Sequence, residues 1–270
     1  MRGSADAPEV PPSPHPLPRS ESFPFNPANC GGEGAETGPC RLFRRTHFSE
    51  RLIPMSAETT VFLARHGATA NNLAVPIRLQ GNTINGPLAP VGVEQATALG
   101  EALRMAPVDA VYASTMLRAR QTAELVAAPH RLTAQAIEGL HEINVGQWEG
   151  LSWVDIQARY PTEFQAFFDN PAQVPYLGGE CYLDVLARAR PAFDALVAKH
   201  VGQTIVMVTH NVVNRVLVAD FLGLPLDRAK FLHQSNCGFN EIRCRPGIAD
   251  VRSVNNDRHV WPWIRAAASR

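Results

Sequence analysis

Two histidines stand where short apolar runs give way to polar residues: His66 in Leu63-Ala64-Arg65-His66-Gly67 and His210 in Val208-Thr209-His210-Asn211. Arg65 lies next to His66, and Gly67 lets backbone approach a ligand closely, which makes a local anion site of the kind that suits phosphate. A third segment, Tyr112 to Ala123, carries Arg118 just past another apolar run. Taken singly, each histidine is more often a surface or satisfied core residue, and Arg118 a solvated helix cation. Arg120 and Arg131 are read here as solvated cations. What would give the three segments a common purpose is convergence on one crevice.

The surrounding pattern supplies the elements for that. Thr60 to Ala64 and Thr204 to Val208 are β-rich apolar runs of the kind buried on both faces of a sheet, and Val108 to Ala113 reads as a third strand. Val93, Ala96, Gly100 and Leu103 recur at helical spacing between Pro90 and Met105, with Pro90 suited to the first turn. Ser114 is expected to cap a helix running to about Ala127, and Arg131 to Ile137 to be extended. Helices are expected within 151–169, 180–199 and 211–222, with Pro191 kinking or splitting the second. Phe239 to Arg243 and Ala249 to Val254 read as late strands. Strands alternating with helices imply an α/β fold, a three-layer α/β/α sandwich around a mainly parallel sheet. The carboxyl ends of such strands are where ligands bind, and His66, His210 and Arg118 all follow them.

Composition narrows the function. The chain has 270 residues, 45% of them hydrophobic and 19% charged, enough apolar side chain for a sizeable core. Lys+Arg and Asp+Glu number 25 each, so no global field draws nucleic acid or an anionic membrane. Apolar runs are too short to cross a bilayer and no signal-peptide layout is seen, which points to the cytoplasm. Five irregularly spaced cysteines without C-x-x-C read as free thiols. Residues 1–57 hold ten of the 22 prolines, with six arginines balanced by six acids, and are expected to be a disordered tail. Met55 is a second candidate start, and 58–270 the catalytic domain.

Arg65-His66-Gly67, the run Leu117 to Ala123, Glu142 ahead of Gly146-Gln147-Trp148-Glu149-Gly150, and Thr209-His210 together resemble the histidine phosphatase superfamily, which also contains the cofactor-dependent phosphoglycerate mutases. Agreement at Arg78-Leu79-Gln80-Gly81, Pro87-Leu88, Gly92, Gln95-Ala96 and Gly178-Gly179-Glu180 extends it over about Thr60 to Val254. The resemblance implies a phosphoglycerate mutase-like fold. It makes His66 the nucleophile that becomes phosphohistidine, Arg65, Arg118 and His210 a cationic phosphate pocket, and Glu142 the general acid and base. Asn72, Gln80 and Gly81 would add hydrogen bonds. The chain departs from the pattern at Asn211, where glycine usually offers its N–H to phosphate; asparagine keeps the N–H and narrows the pocket. It departs again at Cys181, a helix-start position. Glu180 is read as an N-terminal helix residue. His66 would need its second nitrogen bound to a fixed acceptor to stay neutral at the attacking one.

The implied substrate is a small phosphomonoester, handled without metal or cofactor. In-line phosphoryl transfer is catalysed mainly by positioning and by charge on the equatorial oxygens, which two guanidiniums and an imidazole supply. Specificity residues are expected among Ile77, Leu79, Trp153, Phe164, Phe167 and Tyr176, a set that suits something other than a highly anionic metabolite. Rival motifs fail: H-E-x-x-H would need histidine where Val145 stands, Gly150 to Val154 breaks G-x-S-x-G, and Cys237-x5-Arg243 encloses a strand-like run with Glu241 in it. A mutase and a non-catalytic phosphate-binding module remain as alternatives. The short stretch between Glu142 and His210 leaves little chain for a mutase lid. Late strands in such folds can pair across a two-fold axis, so a homodimer stays open.

Overall fold

The computed structural model describes residues 58–268, with side chains over 58–264; the expected tail lies outside the described residues. The chain forms β1 (Thr59–Arg65), α1 (Ala70–Leu73), α2 (Pro90–Leu103), β2 (Val108–Ser114), α3 (Leu117–Ala127), β3 (Gln135–Ile137), α4 (Trp153–Arg159), α5 (Pro161–Asp169), α6 (Tyr182–Lys199), β4 (Thr204–Thr209), α7 (Asn211–Phe221), β5 (Phe239–Arg245), β6 (Ile248–Asn256) and α8 (Trp261–Ala268). The sheet order is β3-β2-β4-β1-β5-β6. β3, β2, β4 and β1 run parallel, while β5 and β6 add antiparallel pairs at one edge. The expected three-layer architecture is the one observed.

Alternation along the strands builds a core on each face. Val61, Leu63, Tyr112, Ile205, Met207 and Ile242 point to one side, with Phe193 of α6 and Val213 and Leu217 of α7. Ala64, Val111, Ala113, Val206 and Val208 point to the other, with Ala96 and Leu99 of α2 and Ala119, Ala123 and Val126 of α3. Each fully buried Leu, Ile, Val or Met contributes about 1.5–3 kcal/mol of burial, which fixes the register of β1 and β4 and so the height of the residues that follow them.

Three local expectations are corrected. Ser114 is the last residue of β2 rather than a helix cap; Met116 is the N-cap of α3, and Ser114 Oγ accepts from Met116 N at 3.3 Å. Arg131 is not extended but turns left-handed at φ 58° after a short 3-10 turn, so β3 starts only at Gln135. Pro191 lies inside α6 without splitting it. Tyr182, Val185, Ala189, Phe193 and Leu196 are buried along that helix, and their packing outweighs one lost backbone bond.

Candidate active site

β1 and β4 are neighbours in register, with Arg65 opposite Thr209, so the residues just after them emerge side by side. The rings of His66 and His210 lie 5.2 Å apart between centroids. His66 Nδ1 is 2.7 Å from the Gly67 carbonyl oxygen, which can only accept, so Nδ1 carries the proton. Nε2 accepts a long 3.3 Å bond from Arg118 Nε, which requires a lone pair there. Burial first, then the charges of Arg118 and Arg65, hold the ring's pKa well below the ordinary histidine value. The ring is neutral, with Nε2 unprotonated. The fixed acceptor expected for it is the carbonyl of Gly67.

Gly67 has a different reason from the one its sequence position suggests. A Cβ there would meet the Gly92 carbonyl oxygen at 2.4 Å, and one on Gly92 would meet the Ala68 oxygen at 2.0 Å. The two glycines let α2 press against the loop after β1, rather than opening Gly67 to a ligand. Gln95 of α2 accepts from Ala68 N, and Thr122 of α3 from Gly67 N, both at 3.0 Å.

Arg118 and His210 are fully buried behind His66. Arg118 also donates through Nη1 to the Ile84 oxygen at 3.0 Å and through Nη2 to the Gly81 oxygen at 2.9 Å. Gly81 therefore holds Arg118 in place. Burial, opposed by Glu142, lowers the Arg118 and Arg65 pKa values to about 10, which leaves both charged at neutral pH. Arg65 donates to the Gln234 oxygen at 2.7 Å. His210 Nε2 is 2.8 Å from Ser114 Oγ, and burial followed by the Arg118 charge lowers its pKa strongly. The positive charge at the floor thus comes from the two guanidiniums, with His210 neutral. His210 Nδ1, Arg65 Nε and Asn211 Oδ1 are buried without a partner among the described residues. Buried polar atoms normally have one, so these three mark the floor as a ligand site.

Above the floor opens a cavity of about 580 Å³ whose lining includes Arg65, His66, Asn72, Gln80, Glu142 and Asn211. Asn72 Oδ1 accepts from Thr69 N at 3.1 Å and Asn236 Nδ2 at 3.3 Å, and its own amide hydrogens remain for a ligand. The Gln80 side chain is engaged with Thr69 Oγ and the Ile84 oxygen. Glu142 sits on the N-terminus of α7: Oε2 accepts from Asn211 N and Oε1 from Ile143 N, both at 3.0 Å, with Val212 N at 3.3 Å. The Asn211 N–H expected to face phosphate is bonded to Glu142 here.

Ile77, Leu79, Trp153, Phe164, Phe167 and Tyr176, expected as specificity residues, all line the cavity. Two other carboxylates near Glu142 in sequence do not: Glu149 accepts from Thr83 N and Ile84 N, and Glu138 is exposed. Glu180 is not a helix residue, because α6 is capped by Cys181. It accepts from Asn144 N at 2.8 Å and pairs with Arg188 at 2.9 Å. Arg188 in turn donates to the carbonyls of Gly139, His141 and Glu142, so this one ion pair clamps the loop that carries Glu142. Sequence reading missed Arg188, and it missed Arg215, Lys230 and Phe231 on the cavity wall. Arg215 stands one helical turn from Asn211, a spacing that carried the signal.

Cys181, Cys237 and Cys244 are free and buried, and burial pushes the Cys244 thiol up to about 12 and Cys237 further. Arg243 lies in β5, so Cys237 and Arg243 form no phosphate loop. Among the described residues no group of three or more His, Cys, Asp or Glu is arranged to hold a metal, and no helix is long and apolar enough to cross a membrane.

Residues 61–257 match the histidine phosphatase superfamily (branch 1), and the chain belongs to that family. It is similar to the metal-independent phosphoserine phosphatase of Arabidopsis thaliana, 36% identical over 64% of this chain and 73% of that one. It is 29% identical to the 2-carboxy-D-arabinitol-1-phosphatase of Triticum aestivum over 80% of this chain, but spans only 44% of that longer protein. Among solved structures, YhfR of Bacillus stearothermophilus superposes with a TM-score of 0.69 at 34% identity, covering 74% of this chain and 98% of that one.

Proposed function

We propose that the protein is a phosphomonoester hydrolase working through a phosphohistidine on His66, and that residues 58–270 are its catalytic domain. The observation that carries this reading is the buried, neutral His66 ring, with Nδ1–H on the Gly67 oxygen and a lone pair on Nε2 beside two guanidiniums. Binding a phosphate exchanges the long Arg118–His66 contact for an Arg118–phosphate bond and frees the lone pair. Nε2 then attacks phosphorus, the P–Nε2 bond forms, and the ester P–O bond breaks as protonated Glu142 gives its proton to the leaving oxygen. In the second half, Glu142 takes a proton from water, the hydroxide attacks phosphorus, and the P–Nε2 bond breaks to release phosphate. Arg65, Arg118 and His210, with the Asn72 amide, balance the phosphoryl oxygens, while the Asn211 N–H holds Glu142.

Hydrolysis is favoured over transfer to a second site because Ile77, Trp153, Phe168 and Phe231, all lining the cavity, are between 42% and 64% exposed, so its wall faces water. Both similar enzymes named above are phosphatases, in keeping with this. The test is turnover of a panel of phosphate monoesters in EDTA, including 3-phosphoglycerate with 2,3-bisphosphoglycerate, with released phosphate and isomerised product scored separately. Phosphate release that vanishes in His66→Ala is expected. Isomerisation without release would make the protein a mutase, and absence of acid-labile phosphate on the chain would make it a binder.

A further inference from the structure

The floor of the cavity accounts for a phosphate, and the wall is built for something else. Trp153 packs against Phe164, Phe167 and Tyr176 at centroid distances of 6.0 to 6.4 Å, and Phe167 against Tyr176 at 4.2 Å. Phe168 stacks on Phe164 at 5.9 Å and extends this surface outward. Phe168 is 50% exposed and Phe231 64%. Large apolar side chains left this open and gathered on one cavity mark a ligand surface.

The charged groups on the same wall are occupied in holding it together. Arg78 donates to the Gly150 oxygen, Arg215 to the Leu232 oxygen, and Lys230 to the Phe168 oxygen. Lys230 also lies over the rings of Phe168, at 4.7 Å, and Phe231, at 5.3 Å, and so ties the two lips of the mouth. Glu142 is the carboxylate of the lining, and both its oxygens face backbone N–H groups. Among the described residues, an ammonium group on a substrate finds no other carboxylate on this lining. The aromatic side chains keep a large area open to the cavity despite these contacts, Trp153 being 42% exposed.

We infer that the preferred substrate is a phosphate monoester of a large, apolar, ring-bearing alcohol, its phosphate on Arg65 and His66 and its rings against Trp153, Phe167, Phe168 and Phe231. This rests on the hydrolase reading and goes beyond it. About 580 Å³ also exceeds what a phosphate with a two- or three-carbon alcohol fills.

The experiment compares 2-(naphthyl)ethyl phosphate with ethyl phosphate and O-phosphoserine, because the naphthylethyl and ethyl esters have leaving groups of similar acidity and differ mainly in apolar bulk. The naphthylethyl ester is expected to have a kcat/KM at least ~100-fold above ethyl phosphate, since even one methylene in an apolar pocket is worth roughly 10-fold or more. Phe168→Ala, at a half-exposed position where folding is not at stake, is expected to shrink that ratio about 10-fold by the same rule. A ratio near one, or preference for phosphoserine, with turnover still dependent on His66, overturns the substrate class and leaves the hydrolase reading intact. Calorimetry with the matching non-hydrolysable phosphonates reads binding without turnover. Tight binding of the naphthylethyl phosphonate by a chain that hydrolyses nothing would remove the hydrolase reading and keep the ligand class. Equal affinity for both phosphonates would overturn the class whatever the turnover.

Discussion

The floor and the wall of the cavity are made from different parts of the chain and held by different forces. The floor comes from residues at or just after the ends of β1, β2 and β4, is buried, and is fixed by hydrogen bonds whose partners are mostly backbone carbonyls: Gly67 for His66, Gly81 and Ile84 for Arg118, Gln234 for Arg65. The wall comes from residues 77–79, from the segment between β3 and α6 and from residues 226–232, is largely apolar and aromatic, and stays open to water. A carbonyl a few tenths of an ångström out of place would redirect His66 or Arg118, whereas an aromatic wall can change residue by residue without moving the nucleophile. Chemistry and selectivity can therefore vary independently in this fold.

The sharpest way to break that division is at the floor. His66→Ala is expected to bring phosphate release to background for every ester, because among the described residues His66 is the one histidine that lines the cavity. A variant that still turns over would place the nucleophile elsewhere. Glu142→Gln is expected to cost roughly 10²- to 10⁴-fold with alkyl phosphates and far less with an activated aryl phosphate, whose oxygen leaves without a proton. Equal losses on both esters would point to another acid. Arg118→Ala is expected to lose on the order of 10²-fold in kcat, by the magnitude seen for single preorganised donors. Arg118→Lys should not restore it, since one ammonium cannot serve the Gly81 and Ile84 carbonyls while reaching the phosphate.

Arg188 tests whether the floor depends on a support that never touches substrate. It holds three carbonyls of the Glu142 loop, so Arg188→Ala is expected to cost about 10-fold through misplacement of the carboxyl. The loss should follow the leaving group as in Glu142→Gln, being larger for alkyl than for aryl phosphates. A uniform loss across esters, with the same dependence on leaving group as the parent, would show general loosening instead.

Much of the floor could be read from sequence because strand-ending motifs are local: three apolar runs, each followed by a charged or imidazole residue, predicted where His66, Arg118 and His210 meet. Six wall residues were readable too: Ile77 and Leu79 lie within 71–90, and Trp153, Phe164, Phe167 and Tyr176 within 151–182, the two stretches that flank the expected site residues in sequence. Arg188 and Lys230 were not, because their work is done on carbonyls distant in sequence, Gly139 and Phe168, and nothing at their own positions announces it. Ser114 misled for a related reason. Pairing with Ile137 of β3 carries β2 one residue further than the local run implies, which turns a capping residue into a strand end that holds His210.

The smallest effect separates floor from wall by thermodynamics alone. His66 and His210 are kept neutral chiefly by burial, and next by the charge of Arg118, so both have depressed pKa values in the folded chain. Unfolded, each titrates near 6.5. Above that pH neither state binds the proton, and the two residues leave stability independent of pH. As pH falls below about 6.5, the unfolded chain takes up protons that the folded chain refuses, and stability drops by up to ~1.4 kcal/mol per pH unit for each histidine until its folded pKa is reached. Urea midpoints measured between pH 7.5 and 5 should therefore slope downward in the parent and less steeply in His210→Gln, which removes one of the two groups. Phe168→Ala, on the wall, is expected to shift the midpoints at all pH values without changing the slope. Parallel slopes for the parent and His210→Gln would mean that His210 takes up its proton equally in the folded and unfolded chains, so that the floor gains a third positive charge as pH falls below about 6.5.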